Sequence, residues 1–218
     1  LQYPDSTKLP HPTYWIRPLS KPSTKKGHQR FVWNLRYADP PGANRSYAIA
    51  AVLRNTPVGP VGPFVAPGTY RIRLTVDGVV DEKDIVVRLD PRSQLSDTDL
   101  KLQTALSMDV YNAYGELHNL REVALMKLEN KKLDRKKKSN LSKFVGSGDP
   151  NNGDPLYGSI RETNLEDESL VGLQEKLLYL LVVLQNADTR PTKPTQEAVK
   201  KLVERTHEMQ SKLKSISK

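Results

Sequence analysis

The chain has 218 residues, a formal net charge of +9 and no cysteine. The absence of cysteine excludes disulfides, thiolate zinc sites and cysteine nucleophiles, and the longest apolar run, residues 177–184, is far shorter than the roughly 20 residues of a membrane-spanning helix. Basic residues outnumber acidic ones two to one in residues 1–92 but are nearly balanced in residues 93–218, so the charge gives only weak support to nucleic-acid binding.

Residues 1–29 are rich in proline, as in the segments 9–12 and 17–22. Proline fixes its own φ angle and disfavours helix in the residue before it, so we predict an extended lead-in that crosses a surface. Within it, Tyr14, Trp15 and Arg17 are candidate contact residues, because aromatic and guanidinium groups can stack on a sugar or a base. Burial of the aromatic rings by packing is the competing interpretation, and it is the commoner role of such rings.

Residues 30–37 have the alternation of a strand with one buried face. The apolar positions are Phe31, Trp33, Leu35 and Tyr37, and most residues between them are polar. Since successive side chains of a strand point to opposite faces, this period of two predicts a strand with Trp33 in the core.

A hairpin signal lies in residues 70–89. Tyr70, Ile72, Leu74 and Val76 alternate with polar residues, and the dipeptide 77–78, Asp-Gly, then offers the positive φ angles of a two-residue turn. A second strand-like run follows at 85–89. Together with residues 30–37, these runs predict a small antiparallel β-sandwich over residues 30–92. Its expected core consists of Phe31, Trp33, Leu35, Tyr70, Ile72 and Leu74.

Helical periodicity begins after Ser96. Ser96 and Asp99 have the spacing of an N-terminal cap, and apolar residues then recur three or four positions apart up to residue 128. The same spacing returns in residues 170–184 and again in residues 199–216. Because amphipathic helices are not stable alone in water, we predict an antiparallel three-helix bundle over residues 93–218. A flexible basic and Gly/Asn-rich loop is expected at 131–166.

Residues 131–138 are the densest basic segment of the chain. Runs of like charge are usually solvated. If the run follows the first helix, it lies at the negative pole of the helix dipole, where cations are favoured. We therefore expect a solvated helix end here instead of a binding site.

No constellation of catalytic or metal-binding residues emerges from the sequence. The four histidines are scattered, without the i, i+4 spacing of a helical zinc site. Residues 149–160 differ from a calcium loop, because position six is not Gly and position twelve is not Glu. The carboxylates at 81–84 and 166–168 lack the apolar setting of a general acid. We predict no catalytic residue, cofactor or metal in this chain.

Several ordered motifs together resemble a known family. They are Tyr14-Trp-Ile-Arg-Pro18, His28-Gln-Arg-Phe-Val-Trp-Asn-Leu-Arg-Tyr37, and the segments 62–70, 74–78, 87–92 and 184–196. This succession resembles the C-terminal region of secreted bacterial sortilin-like proteins, the Asp-box (BNR) β-propeller proteins that are often labelled glycosyl hydrolases. The resemblance implies an α+β architecture: an Ig/fibronectin-like sandwich followed by a helical segment, both attached after the propeller. The chain itself contains no Asp-box.

The resemblance also implies a role. It is that of a non-catalytic accessory or assembly module, extracellular or in the cell envelope or periplasm. The partner would be a β-propeller domain or subunit, fused or separate, and a glycan is a further candidate partner. Family members have strands ahead of the position that matches Leu1, so one sheet edge would be open to pairing with another chain.

Two alternative functions stay open. In the first, the chain is part of a glycan-acting hydrolase. Such an enzyme needs two facing carboxylates, and these catalytic residues would lie outside this chain. The other is a basic nucleic-acid-binding protein, whose affinity would fall steeply with salt. The near balance of charge in residues 93–218 disfavours the second.

Overall fold

The computed structural model describes residues 12–15, 22–42, 46–47, 52–53, 55–56, 58–130, 133–148 and 166–216. Over these residues the protein is mixed α+β, with four α-helices and two small antiparallel sheets of two strands each. A 3-10 turn, Thr13–Trp15, comes before them. The strands precede the helices along the chain, as the change of sequence period near Ser96 predicts.

The helices are α1 (Asp97–Leu128), α2 (Arg135–Val145), α3 (Leu170–Gln185) and α4 (Lys193–Ile216). Helix α1 packs against α3 and α4, which also contact each other, and α2 lies against all three. We call these four helices the helical core, because nearly all buried apolar side chains of the described residues lie in them. They include Val110, Tyr114, Leu117, Leu141, Phe144, Leu170, Leu173, Leu177, Leu181, Val199, Met209 and Leu213.

Side-chain caps begin two of the helices at serine. The Ser96 Oγ accepts a hydrogen bond from the Asp99 N–H at 3.1 Å and donates one to the Asp99 carboxylate at 2.8 Å. This satisfies one of the backbone donors that a helix start leaves open, and it confirms the predicted start of the first helix. Ser169 caps α3 in the same way by accepting from the Gly172 N–H at 3.2 Å.

Helix α2 lies inside the segment 131–166, for which the sequence predicted a loop, so that prediction is wrong here. Asp134 caps the helix by accepting from the Lys137 N–H at 2.9 Å. The helical signal was present as apolar residues at three-four spacing, but cations surround it. The buried residues of α2 are Leu141, Phe144 and Val145.

The basic residues 135–138 form the first turn of α2. This end is the positive pole of a helix dipole, where cations are disfavoured. The expectation that the basic run lies at the negative pole of the preceding helix is therefore wrong for this turn. Lys136 and Lys138 are exposed to solvent. Residues 131 and 132 lie outside the described residues.

The shorter sheet pairs β1 (Ser46–Tyr47) with β2 (Val58–Gly59), and the longer one is a hairpin of β3 (Gly68–Val76) and β4 (Val79–Val87). Each residue of β3 is paired with one residue of β4, so the register has no bulge. Asp77 and Gly78 join the strands with φ angles of 49° and 83°, as a type I′ turn requires. The predicted hairpin and turn are confirmed, and the second strand begins directly after the turn instead of at residue 85.

The strand predicted over residues 30–37 is wrong. Within the described residues this segment forms one isolated antiparallel bridge, between Arg36 and Phe64. Leu35 has a φ angle of 58°, a left-handed conformation that interrupts the alternation on which the prediction relied. Trp33 folds back over this turn, and its Nε1 donates to the Arg36 carbonyl at 3.2 Å.

The chain that leads into β3 is hydrogen-bonded to the helical core. The Phe64 N–H donates to the Gln185 Oε1 at 2.8 Å, and the Gln185 Nε2 donates to the Ser107 Oγ at 2.8 Å. Pro63 and Val65, on either side of Phe64, are buried. This contact fixes the entry to the hairpin against α1 and α3.

Candidate interaction surface

The β3–β4 hairpin has two chemically different faces. Directly paired residues of an antiparallel ladder share a face, and neighbours along a strand alternate, so the register assigns each side chain to one side. The apolar face carries Tyr70, Ile72, Leu74, Val76, Val79, Ile85 and Val87, together with Asp81 and Lys83. The charged face carries Thr69, Arg71, Arg73, Thr75, Val80, Glu82, Asp84 and Val86.

Cross-strand ion pairs organise the charged face. The Arg71 Nε lies 3.0 Å from the Asp84 Oδ1, and the Arg73 Nε lies 2.6 Å from the Glu82 Oε1. The arginine side chains remain 62% and 69% exposed. Each pair therefore contributes little, about 0–1 kcal/mol, and the face is well suited to contact with water.

The apolar face is largely uncovered by the described part of the chain. Strands β3 and β4 pack against each other, and the described helices do not cover them. Tyr70, Ile85 and Val87 at the base are half-buried. Exposure is greatest toward the turn, at 48% for Ile72, 55% for Leu74 and Val76, and 72% for Val79.

The predicted sandwich core is consequently not formed within the described residues. Phe31 is 55% exposed and Leu35 is 39% exposed, and Ile72 and Leu74 lie on the uncovered face. Trp33 and Tyr70 are half-buried, and their rings meet edge to face with centroids 5.6 Å apart. Alternation identifies a side that can be buried, but it does not show that the same chain supplies the second layer.

Arg36 and Phe64 form a cluster just before the hairpin. The Arg36 guanidinium carbon lies 3.5 Å from the centre of the Phe64 ring, and the Arg36 Nη1 donates to the Gly62 carbonyl at 2.8 Å. Burial lowers the pKa of Arg36, and the charge of Asp39 opposes that shift. Because arginine stays protonated in proteins, we assign this cation–π contact a structural role in holding the bridge between the two residues.

Tyr14 and Trp15, two of the predicted contact residues, lie together in the 3-10 turn. Their rings meet edge to face with centroids 6.2 Å apart. Tyr14 is 61% exposed, whereas Trp15 is half-buried and its carbonyl accepts from the Thr56 N–H at 3.1 Å. The Tyr14 ring is therefore accessible, and Trp15 belongs chiefly to the packing. Arg17 lies outside the described residues.

One cavity, of about 440 Å³, lies where α2 and α4 meet the start of α3, and Asp167 and Glu168 line it. The Asp167 carboxylate accepts from the Ser169 N–H at 2.8 Å. Glu168 forms ion pairs with Lys176 at 3.4 Å and with Arg205 at 3.0 Å. Both carboxylates thus hold the start of α3 in place, and they are not arranged as a facing acid–base pair.

Two further properties bear on the site. None of the described helices is both long and apolar enough to pass through a membrane. In the described ranges, no three His, Asp or Glu side chains are grouped so that they could hold a metal ion. The candidate interaction surface is the apolar face of the hairpin, because its side chains are exposed to solvent.

The sequence predicts the hairpin but not the residue that anchors it. Gln185 holds the entry to β3 through the Phe64 N–H, and no sequence signal distinguishes it from any other glutamine at a helix end. One open sheet edge of the sandwich was expected, and only through the resemblance to a larger protein. No protein-family model, curated protein or solved structure matches this chain.

Proposed function

We propose that this chain is a non-catalytic assembly module of an extracellular or cell-envelope β-propeller protein. In this role the apolar face of the hairpin binds β structure of the propeller-bearing polypeptide, fused or separate. The observation that carries the proposal is the exposure of this face, which is continuous along β3 and left uncovered by the described residues.

Leaving such a face in water is unfavourable. Fully burying one valine, leucine or isoleucine side chain contributes roughly 1.5–3 kcal/mol, and an isolated two-stranded hairpin is only marginally stable. A covering layer from a partner would therefore order the hairpin and gain binding free energy from the same contacts. The residues that gain most are the most exposed ones, Ile72, Leu74, Val76 and Val79.

The proposal gives the chain a finer architecture. The hairpin is one part of an Ig-like sandwich whose facing layer comes from the partner, and α1, α3 and α4 form an antiparallel three-helix bundle. The ordered motifs that resemble the C-terminal region of sortilin-like, Asp-box propeller proteins support this assignment. Any glycosidase chemistry of such a protein would belong to the propeller, and Asp167 and Glu168 of this chain are engaged at a helix start.

The first test is to recover the native protein from its source and to measure its intact mass and its bound polypeptides. The expected result is covalent continuity with a β-propeller polypeptide, or tight binding to one. A chain that is recovered alone, monomeric and stable contradicts the proposal.

A second test asks whether the apolar face is the contact. The chain has no cysteine, so one introduced cysteine gives an unambiguous thiol signal. Leu74→Cys places it on the apolar face, and Thr75→Cys, the matched control, places it one residue away on the charged face. Both variants should react with a maleimide in the isolated chain, and only the Leu74→Cys variant should be protected in the assembly. Equal reactivity of the two variants in the assembly contradicts docking through the apolar face.

A further inference from the structure

Resting on this proposed assembly role, we infer a more specific contact: one extended strand of the partner pairs with the outer edge of β3 and continues the sheet. That strand alternates apolar residues, which extend the apolar face, with acidic residues, which lie beside Arg71 and Arg73. The free backbone groups of β3, the geometry of its arginines and the distribution of charge in the hairpin carry this inference.

The register shows which backbone groups of β3 are free. Val76 and Val79 flank a two-residue turn, so they form a hydrogen-bonded pair, and such pairs recur at every second rung. On the rungs between, the N–H and C=O groups point away from the opposite strand, and no described strand pairs with them. We call these groups the outer amides. Those of β3 belong to Thr69, Arg71, Arg73 and Thr75, and those of β4 to Val80, Glu82, Asp84 and Val86.

Strand β3 lacks the devices that usually protect a sheet edge. It contains no proline and no bulge, both of which natural proteins use against edge pairing. Its long cations do not shield the outer backbone, because Arg71 and Arg73 reach across the ladder to Asp84 and Glu82. The outer amides of β3 are therefore accessible to another strand.

The apolar face distinguishes the edge of β3 from that of β4. On β3 the face is uninterrupted from Tyr70 to Val76, whereas on β4 Asp81 and Lys83 interrupt it. A strand added beside β3 extends a continuous apolar surface. A strand added beside β4 would bring its apolar residues against two charges, which are unfavourable to desolvate. The consecutive charges at 81–84 are also a usual protection of an edge strand.

The charged face sets the chemistry of the incoming strand. On β3 the charged face carries two charged side chains, Arg71 and Arg73, and both are more than half exposed. A guanidinium has five N–H donors, so a carboxylate of the partner can share each arginine with Asp84 or Glu82. Opposite charges across neighbouring strands stabilise a ladder and like charges destabilise it, so acidic residues fit these positions and basic ones do not.

A two-fold dimer of this chain does not meet these requirements, and a head-to-tail contact of β3 with β4 of another copy would bring Asp81 and Lys83 against the apolar face. Two-fold pairing of β3 with β3 would oppose arginines, and two-fold pairing of β4 with β4 would oppose carboxylates. Stacking two apolar faces would join hairpins about 30 Å long and two strands wide. Such a contact buries roughly 600 Å² in total, below the approximately 1,000 Å² of a stable interface.

The test is amide hydrogen exchange, measured residue by residue on the isolated full chain and on the assembly recovered from its source. In the isolated chain the outer amides of β3 and of β4 should both exchange rapidly. In the assembly those of β3 should slow by about tenfold or more. The outer amides of β4 are the internal control and should stay fast.

A matched pair of proline variants tests the same contact by affinity. Thr69 and Val86 share one rung, and their N–H groups point outward from β3 and β4 respectively. Thr69→Pro removes a donor from the proposed contact and Val86→Pro removes its equivalent on the other edge, while the ladder between the strands stays intact. Calorimetric binding to the purified propeller polypeptide should weaken about fivefold or more for Thr69→Pro and less than about twofold for Val86→Pro.

Other results separate this inference from the assembly role. Two results would refute strand addition to β3 and leave the assembly role standing. One is slowed amide exchange only at the outer amides of β4. The other is slowed exchange at neither edge while the Leu74→Cys variant is protected from the maleimide. A dimer of the isolated chain that Thr69→Pro dissociates would make the occupant a second copy and overturn the inference. Recovery of the native chain without a propeller polypeptide would refute both.

Discussion

Gln174 is fully buried in α3, and neither of its amide atoms has a hydrogen-bond partner among the described residues. A buried amide without a partner costs roughly 1–3 kcal/mol. Gln174→Met keeps the length of the side chain and removes the polar atoms, so it should raise the free energy of unfolding by about 1–2 kcal/mol. Urea unfolding with an unchanged m-value measures the difference.

Gln103 is the matched control for that substitution. It is a buried glutamine of α1, and its Nε2 donates to the carbonyls of Leu184 and Ala187. Gln103→Met should therefore lower the free energy of unfolding, by about 1–3 kcal/mol. Equal destabilisation by both variants would contradict the assignment of Gln174 as the unsatisfied residue.

Asp90 and Arg92 form the turn between the hairpin and α1, and they give a pH-dependent prediction. The Asp90 carboxylate accepts from the Arg92 Nη2 at 2.7 Å, its Nε at 3.0 Å and its backbone N–H at 2.9 Å. These hydrogen bonds lower the pKa of Asp90 from its ordinary value of 3.8. The carboxylate therefore contributes stability above its unfolded-state pKa, and the contribution is lost as the pH falls through the folded-state pKa.

Carboxyl-carbon NMR titration measures this shift directly. The pKa of Asp90 should lie below 3.8 in the unmodified chain and return toward it in the Arg92→Gln variant. A pKa that the substitution leaves unchanged would show that another group holds the carboxylate in its charged form.

At the scale of elements, the hairpin and the helical core should respond differently to substitution. Ile72 is 48% exposed and Leu117 is fully buried. Ile72→Lys should change the free energy of unfolding of the isolated chain by less than about 1 kcal/mol, whereas Leu117→Ala should lower it by about 2–5 kcal/mol. Thermal or urea unfolding compares the two, and a large loss from Ile72→Lys would mean that this chain covers its own apolar face.

The elements predicted correctly depend on local chemistry. The cap at Ser96 and the turn at Asp77 and Gly78 are each determined by residues a few positions apart, so the sequence is sufficient to recognise them. Helix α2 was missed because three apolar residues carry its signal among cations. The strand over residues 30–37 failed because Leu35 adopts a left-handed conformation, which no alternation pattern reveals.

At the scale of the whole molecule, Gln185 links the chain before the hairpin to the helical core. Gln185→Ala removes the acceptor of the Phe64 N–H and the donor to Ser107. The amide exchange of Phe64 should then accelerate about tenfold or more, while the amides of α1 and α3 keep their protection. Gln210→Ala, which removes an exposed 3.4 Å contact to Glu116, is the control, and equal effects of the two variants would contradict the linking role.

The candidate site was predictable only in part. Alternation in β3 identified Tyr70, Ile72 and Leu74 as one apolar side, and the structure places them on one face. What covers that face depends on contacts beyond the strand itself, and alternation is the same whether a layer comes from this chain or from another. The Gln185 contact joins residues 121 positions apart, so local sequence patterns do not reveal it.

The uncovered hairpin also affects how much of this chain a cell can synthesise before copies of it associate. A β3 edge with arginines can meet the β4 edge of another copy, where carboxylates lie, and such a head-to-tail contact is open-ended. At high concentration, isolated chains would therefore associate with one another. Under the proposed assembly role, synthesis in balance with the partner, or as one polypeptide with it, would avoid this association.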